Sequence, residues 1–100
     1  MTAFDHTELD DVIHGRLRLG VMAYLSTASP ATFLELKAKV NATDGNLSAH
    51  LSKLEEAGYV RIEKQFEGKK PVTRAHLTDA GRDAWIAYLD RLKAMLSAAE

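Results

Sequence analysis

The chain has 100 residues, 46% of them hydrophobic, and a formal net charge of −1. A chain of this length forms one domain with one modest core, and too little remains for a separate ligand-binding domain. It has no cysteine, which excludes disulfides and thiolate metal sites. Its acidic, polar start does not resemble a signal peptide, and no apolar run approaches the ~20 residues that span a bilayer. We therefore expect a cytoplasmic protein without a membrane partner.

The first 14 residues contain four carboxylates and no Lys or Arg: Asp5, Glu8, Asp10 and Asp11. A capping pair, either Asp5 with Glu8 or Thr7 with Asp10, predicts a short helix that ends near Gly15. Three residues would share one face of such a helix and make a regulatory metal site possible: His6, Asp10 and His14. The alternative is an exposed acidic turn without a ligand.

Two core helices are predicted next. Leu17, Val21 and Leu25 recur at i, i+4 and i+8, which indicates a helix over about residues 16–27 that Ser29 and Pro30 break. A second helix over residues 34–40 would place Phe33, Leu36 and Val40 on its core side. The turn at Asn41 and Ala42 then sets the next helix at an angle, which is the arrangement of a helix-turn-helix.

The following helix, about residues 44–57, has one buried face made by Leu47, Leu51 and Leu54. Thr43 can cap its start, and Gly58 suits the left-handed conformation that ends a helix. Two alternating segments follow and predict a hairpin whose charged tip contains Gly68 and whose Pro71 lies on an outer edge or at the start of the returning strand.

The hairpin is basic although the whole chain is not. Five cations and two carboxylates lie within residues 61–76: Arg61, Lys64, Lys69, Lys70 and Arg74, against Glu63 and Glu67. Such a concentration favours a nucleic-acid ligand, whose binding depends largely on neutralised phosphates. Taken alone, the run also fits an ordinary solvated hairpin with surface lysines.

The last predicted helix begins after Thr78 and runs almost to the end of the chain. Trp85, Leu89, Leu92 and Leu96 form one stripe, but Ile86, Tyr88 and Met95 are also apolar and cannot all share it. The helix therefore has more apolar surface than one small core can bury. It either lies across its own domain or pairs with a second subunit.

Three segments together resemble the winged-helix domain of MarR-like bacterial transcriptional regulators, in particular their short single-domain members. They are L-S-x-H-L-x-x-L-E-x-x-G-Y-V at Leu47 to Val60, the wing Phe66 to Pro71, and L-T-x-A-G-R at Leu77 to Arg82. Upstream residues resemble the start of the family's first core helix: Val12, Ile13, His14, Arg16, Leu17 and Arg18.

This resemblance implies an α+β, mostly α fold in a single domain over residues 1–100. Its parts are a helix-turn-helix at about 33–57, a wing at about 59–77 with a short third strand at Ala31 to Phe33, and a C-terminal dimerisation helix at about 78–97. The dimer interface would consist of Trp85, Tyr88, Leu89, Leu92, Met95 and Leu96. A twofold dimer would place two DNA-reading helices about 34 Å apart, one turn of DNA.

The candidate DNA contacts of helix 44–57 point away from its leucine face or lie beside it: Asp44, Gly45, Asn46, Ser48, Ala49, His50, Ser52 and Lys53. Asn46 can pair with an adenine edge, Ala49 can touch a thymine methyl, and Lys53 can reach a guanine or a phosphate. The family resemblance adds Lys64, Lys69, Lys70 and Arg74 on the wing, near the minor groove or its phosphates. Gly45 and Ala49 are smaller than the residues that the family often has there, so specificity would depend partly on DNA shape.

No nucleophile with a base and no glycine-rich phosphate cradle is present, so we expect neither an enzyme nor a cofactor. The sequence favours a homodimeric regulator, a repressor, that binds double-stranded DNA at a pseudo-palindromic operator. The alternative is a winged-helix module for protein interactions with little DNA specificity. A small-molecule or protein effector is possible. Trp85 and Tyr88 could line a cleft for it or simply pack.

Overall fold

The computed structural model describes residues 4–98, which form four α-helices and a three-stranded antiparallel sheet. After a 3-10 turn at His6–Glu8, the elements in chain order are α1 (Arg16–Ala28), β1 (Ala31–Thr32), α2 (Phe33–Val40), α3 (Asp44–Glu56), β2 (Val60–Glu67), β3 (Lys70–Leu77) and α4 (Asp79–Ala98). The strand order is β1-β3-β2. The structure confirms the predicted α+β, mostly α winged helix, with α4 as its long last helix.

The core lies where the helices meet the base of the sheet. Its fully buried side chains come from α1, α2 and α3 and from the segment before α1: Ile13, Val21, Met22, Leu25, Leu36, Leu47 and Leu54. The predicted leucine face of α3 is thus buried, and Leu51 is only 4% exposed. Burial of this face fixes the rotation of α3 and leaves its opposite side in contact with solvent.

The turn between α2 and α3 is fixed by local hydrogen bonds. Thr32 and Glu35 form a reciprocal capping box at the start of α2, and Asn41 ends this helix in the left-handed conformation at φ 53°. Thr43 then caps α3, because its Oγ1 accepts a hydrogen bond from the Asn46 backbone N–H at 3.2 Å. Polar and left-handed residues at these positions therefore set the angle between the two helices of the helix-turn-helix.

The start of α4 is anchored against the end of α3. Thr78 Oγ1 donates to the Gly58 carbonyl at 2.6 Å and accepts from the Gly81 backbone N–H at 2.9 Å. Gly81 is buried so closely against this turn that an added Cβ would overlap the Tyr59 carbonyl oxygen and lie 2.9 Å from Leu77 Cδ1. The glycine of the L-T-x-A-G-R segment is therefore required by backbone packing.

The segment before α1 differs from its prediction. Asp5 caps a short helix as expected, but this helix is the 3-10 turn His6–Glu8 and does not continue toward Gly15. The Asp10 carboxylate instead accepts the backbone N–H of Val12 at 2.8 Å, which closes a turn, and Leu9 is buried. Side chain to backbone bonding by an aspartate competes with helix formation, and here it prevails.

Asp10 also connects this segment to the end of α3, because its Oδ2 accepts the phenol hydrogen of Tyr59. This bond, with partial burial and the charge of Asp10, raises the pKa of Tyr59 from its ordinary value of 10.0 to about 12. The neutral phenol is therefore favoured in the folded state. Its contribution to stability is complete below about pH 10 and is lost as the pH rises through 12.

Replacing Tyr59 with phenylalanine is expected to lower the free energy of unfolding by about 1 kcal/mol at pH 7, because both partners are partly exposed. Urea unfolding at pH 7, 10 and 12 measures this difference. The difference between wild type and Tyr59→Phe should shrink between pH 10 and pH 12, as the wild-type phenol ionises. A difference that stays constant over that range would contradict the bond to Asp10.

Candidate nucleic-acid interface

The solvent side of α3 presents small and polar side chains. Six of the eight candidate contacts on this helix are exposed there: Gly45, Asn46, Ser48, Ala49, Ser52 and Lys53. A Cβ added at Gly45 would meet nothing within 4 Å, so packing does not require a glycine at this position. Between Asp44 and Lys53, these side chains form a low surface without charge.

The other two candidates have partners within the chain. Asp44 forms an ion pair with Lys37 of α2, with 2.7 Å between Nζ and Oδ1. This pair is exposed and so contributes little to stability, but it offsets a carboxylate that would otherwise repel a phosphate. His50 is half-buried and lies 2.8 Å from Arg18, measured from Nδ1 to Nη1.

The bond to Arg18 determines the proton position on His50. Burial lowers the pKa of His50, and the charges of Arg18 and Lys53 lower it further, so the ring is neutral at pH 7. A guanidinium has only donors, and Nδ1 must therefore accept while Nε2 carries the proton. His50 can thus donate one hydrogen bond from Nε2 to an acceptor such as a phosphate oxygen.

The wing is a regular two-stranded ladder from Val60↔Leu77 to Glu67↔Lys70. Gly68, at φ 64°, and Lys69 form its two-residue turn, as expected for a turn with glycine in first position. β1 pairs with β3 only at Ala75 and Arg74, so four residues of each strand extend beyond it, about 14 Å. Pro71 is the second residue of β3, and β3 has no neighbouring strand on the side away from β2 there, because β1 pairs only with Arg74 and Ala75.

The cations of the wing fall into two groups. Arg74 is paired with Glu67 across the hairpin, and Arg61 lies 3.8 Å from Glu63. Within residues 4–98, the structure gives no ion pair to the three exposed lysines near the tip: Lys64, Lys69 and Lys70. The positive charge available to a ligand is therefore at the far half of the wing, and Arg74 mainly balances Glu67.

An open cleft separates α3 from the wing. Ser48, Ser52 and Glu55 line it on the helix side, and Lys64 and Thr73 on the sheet side. The Glu55 carboxylate is held there because it accepts the backbone N–H of Ile62 at 3.2 Å. Helix and wing thus form two walls of one surface, both with hydrogen-bond donors.

Two arginines beside α3 were not among the sequence candidates. Arg16 is exposed at the start of α1 and lines a second cleft together with Asn46 and His50. Arg18 orients His50 and also donates from Nε to the Val12 carbonyl at 2.5 Å. The R-x-R spacing at the first turn of α1 is the sequence feature that could have identified these two arginines. Their proximity to α3, however, arises only from tertiary packing.

The apolar surface of α4 is divided between core and solvent. Tyr88 is 3% exposed, with its hydroxyl 2.8 Å from His14 Nδ1, so its assignment to a dimer interface was wrong and it packs within its own chain. Trp85 stacks on it with ring centroids 6.0 Å apart. Leu89 and Leu96 remain exposed at 41% and 63%, and Ile86, which the sequence candidates omitted, at 51%.

The possible metal site near the N-terminus is not formed. Its three residues would have needed a helix through residues 6–14, and the chain is not helical beyond Glu8. Asp10 is bonded to Tyr59 and His14 to Tyr88. Across residues 4–98, no three His, Asp or Glu side chains are grouped as metal ligands.

Comparison with known proteins agrees with this geometry. The family model described as a winged helix DNA-binding domain matches residues 17–96. The uncharacterized protein MJ0432 of Methanocaldococcus jannaschii is 36% identical over 78 residues, which cover 78% of this chain and 85% of that protein. The chain therefore belongs to the winged helix DNA-binding domain family.

Solved structures of transcriptional regulators have the same fold. A transcriptional regulator homologue from Pyrococcus horikoshii OT3 superposes with a TM-score of 0.91 at 27% identity, covering 100% of this chain and 99% of that one. A MarR family transcriptional regulator from Streptomyces coelicolor, solved in complex with DNA, has the same fold, with a TM-score of 0.67 at 20% identity over 96% of this chain and 65% of that one. The winged-helix fold that the MarR-like resemblance implied is thus confirmed. From residue 4 to residue 98, no helix is long and apolar enough to cross a membrane.

Proposed function

We propose that this chain is a homodimeric, sequence-specific regulator that represses transcription by occupying a pseudo-palindromic operator. α3 would lie in the major groove, and the wing would contact the adjacent minor groove or its phosphates. The observation that carries this proposal is the open cleft with the polar face of α3 on one side and Lys64 of the wing, which has no ion pair within residues 4–98, on the other. Such a regulator would act in the cytoplasm, where it meets the chromosome.

Contacts to DNA would be divided by type. Lys64, Lys69 and Lys70 would neutralise phosphates, and His50 would donate to a backbone oxygen from Nε2. Asn46 and Lys53 are the long polar side chains on α3 that can reach base edges. The neighbouring Gly45 and Ala49 offer few direct base contacts, so each half-site would be recognised weakly and partly through DNA shape.

A dimer would compensate for weak half-sites. Leu89, Leu96 and Ile86 form an exposed apolar strip on α4, continuous with the half-buried Trp85 and Leu92. Pairing two such strips removes apolar surface from water. Binding through two linked half-sites can then exceed the affinity of one half-site by about 10²-fold or more.

Leu89→Glu is expected to convert the dimer into a monomer, because the new carboxylate would be buried without a partner. Its affinity for a duplex with two half-sites should fall by about a hundredfold, while its affinity for one half-site should change little. Sedimentation equilibrium gives the oligomeric state, and fluorescence anisotropy gives both affinities.

Ala87→Glu is the matched control for this variant. Ala87 is exposed on the same helix but lies about 160° around the axis from Leu89, so this variant should remain dimeric and bind normally. A wild-type protein that is monomeric at micromolar concentration, or a Leu89→Glu variant that remains dimeric, would contradict the proposed interface.

A further inference from the structure

Phe66 is a large apolar side chain in an unusual place. It lies in β2 two residues before the turn of the wing, and it is 74% exposed. Its cross-strand partner is Pro71, which is also exposed. The end of an otherwise charged hairpin therefore has two exposed apolar side chains, which contribute nothing to the core of their own chain.

The strand register determines which way Phe66 faces. Alternate residues of β2 share a face, and Val60, Ile62 and Lys64 precede Phe66 on its face. Val60 is 2% exposed against the core, and Lys64 lines the cleft opposite α3. Phe66 therefore extends the cleft-facing wall of the wing, beyond Lys64 and on the same side as the exposed surface of α3.

The charges around Phe66 identify the kind of partner it suits. Lys64 precedes it on the same face and Lys69 lies in the adjacent turn, and the structure gives neither of them an ion pair within residues 4–98. Lys70 is the cross-strand partner of Glu67 and so lies on the opposite face. Glu67 is on the opposite face of β2 and is paired with Arg74. An apolar side chain next to two cations that have no ion pair is complementary to the nucleic-acid minor groove, where phosphates flank stacked bases.

We propose that Phe66 inserts as a wedge into the minor groove beside each half-site and partly unstacks one base step there. The proposal rests on the DNA-binding function above and adds a source of specificity to it. Pyrimidine–purine steps such as TA unstack and kink most easily, so the operator should contain such a flexible step at the position that the wing contacts. This would supply sequence preference that the small residues of α3 do not provide.

The probe for the test is the tightest-binding duplex recovered from a random DNA pool, with 2-aminopurine replacing one adenine at the position next to each half-site. Wild-type protein should raise the 2-aminopurine fluorescence at one such position, because the base loses its stacking. Phe66→Ala should abolish this rise in fluorescence and weaken binding about tenfold. Phe66→Leu should retain most of the rise and most of the affinity, since leucine can also act as a wedge. Replacing the TA step with AA should weaken wild-type binding about tenfold and leave Phe66→Ala unaffected.

Leu34→Ala is the control, because Leu34 is equally exposed at 74% but belongs to α2, and this variant should behave as wild type in every assay. If wild type binds the duplex but Phe66→Ala binds equally well and gives the same fluorescence, the wedge is excluded while the DNA-binding function stands. A change in oligomeric state of Phe66→Ala, seen by sedimentation, would assign Phe66 to a contact between chains instead. Failure of wild type to bind any duplex would overturn both proposals.

Discussion

Replacing Gly81 with alanine is expected to lower the free energy of unfolding by about 2 kcal/mol or more. The added methyl group would overlap the Tyr59 carbonyl oxygen, and a backbone atom cannot rotate away as a side chain can. α4 would have to shift, at the typical cost of overpacking of about 1–3 kcal/mol. The shift would also stretch the two hydrogen bonds that Thr78 makes at this turn. In a domain of this size, the loss corresponds to a fall in Tm of about 10 °C.

Gly45→Ala is the matched control, because Gly45 is also helical but has nothing within 4 Å of an added Cβ. Its stability should equal that of wild type or exceed it by up to about 1 kcal/mol, because alanine has the higher helix propensity. Urea unfolding followed by the fluorescence of Trp85 measures both variants, at one fixed protein concentration since dimerisation would contribute to stability. Equal midpoints for the two variants would contradict the close packing of α4 against the turn at Tyr59.

Replacing both Lys69 and Lys70 with alanine is expected to weaken binding to duplex DNA and to flatten its salt dependence. Neither lysine has an ion pair within the described residues, so each is available to a phosphate. Each lost phosphate contact reduces the slope of log affinity against log salt by about 0.9. The loss of two lysines should therefore reduce this slope by close to 2 for each chain. Anisotropy titrations in a potassium chloride series measure this slope.

Lys39→Ala provides the comparison for this variant. Lys39 is an exposed cation of α2 whose Nζ lies 5.9 Å from the ring centroid of Tyr24, outside the proposed interface, and its loss should leave the slope unchanged. An unchanged slope for the Lys69→Ala, Lys70→Ala double variant would remove the wing from the interface. It would then favour a protein-interaction module over a DNA-binding regulator.

The parts of the fold that sequence predicts well are those fixed by local chemistry. Thr43 and Thr78 cap the helices that they were expected to cap, and Gly58 has the left-handed φ of 81° that its position predicts. Periodicity alone identified the buried face of α3. These features need only neighbouring residues, which is why spacing and residue type suffice to locate them.

Contacts between distant residues explain what the sequence did not predict. The segment before α1 is determined by bonds from Asp10 to Tyr59 and from His14 to Tyr88, 49 and 74 residues away. Likewise, α4 is apolar on more than one side, so the spacing of its apolar residues could not show that Tyr88 packs inward while Ile86 stays exposed. The pairing of Arg18 with His50, 32 residues apart, depends in the same way on tertiary packing.

The central claim is that two copies of this chain read a twofold-symmetric DNA sequence with α3 and the wing. Selection of bound duplexes from a random pool, at low and near-physiological salt, tests it most directly. We predict enrichment of an inverted repeat whose half-sites are about ten base pairs apart, with a flexible step beside each half-site. Binding that is weak, without enrichment and lost at near-physiological salt would show only backbone attraction and would contradict the claim.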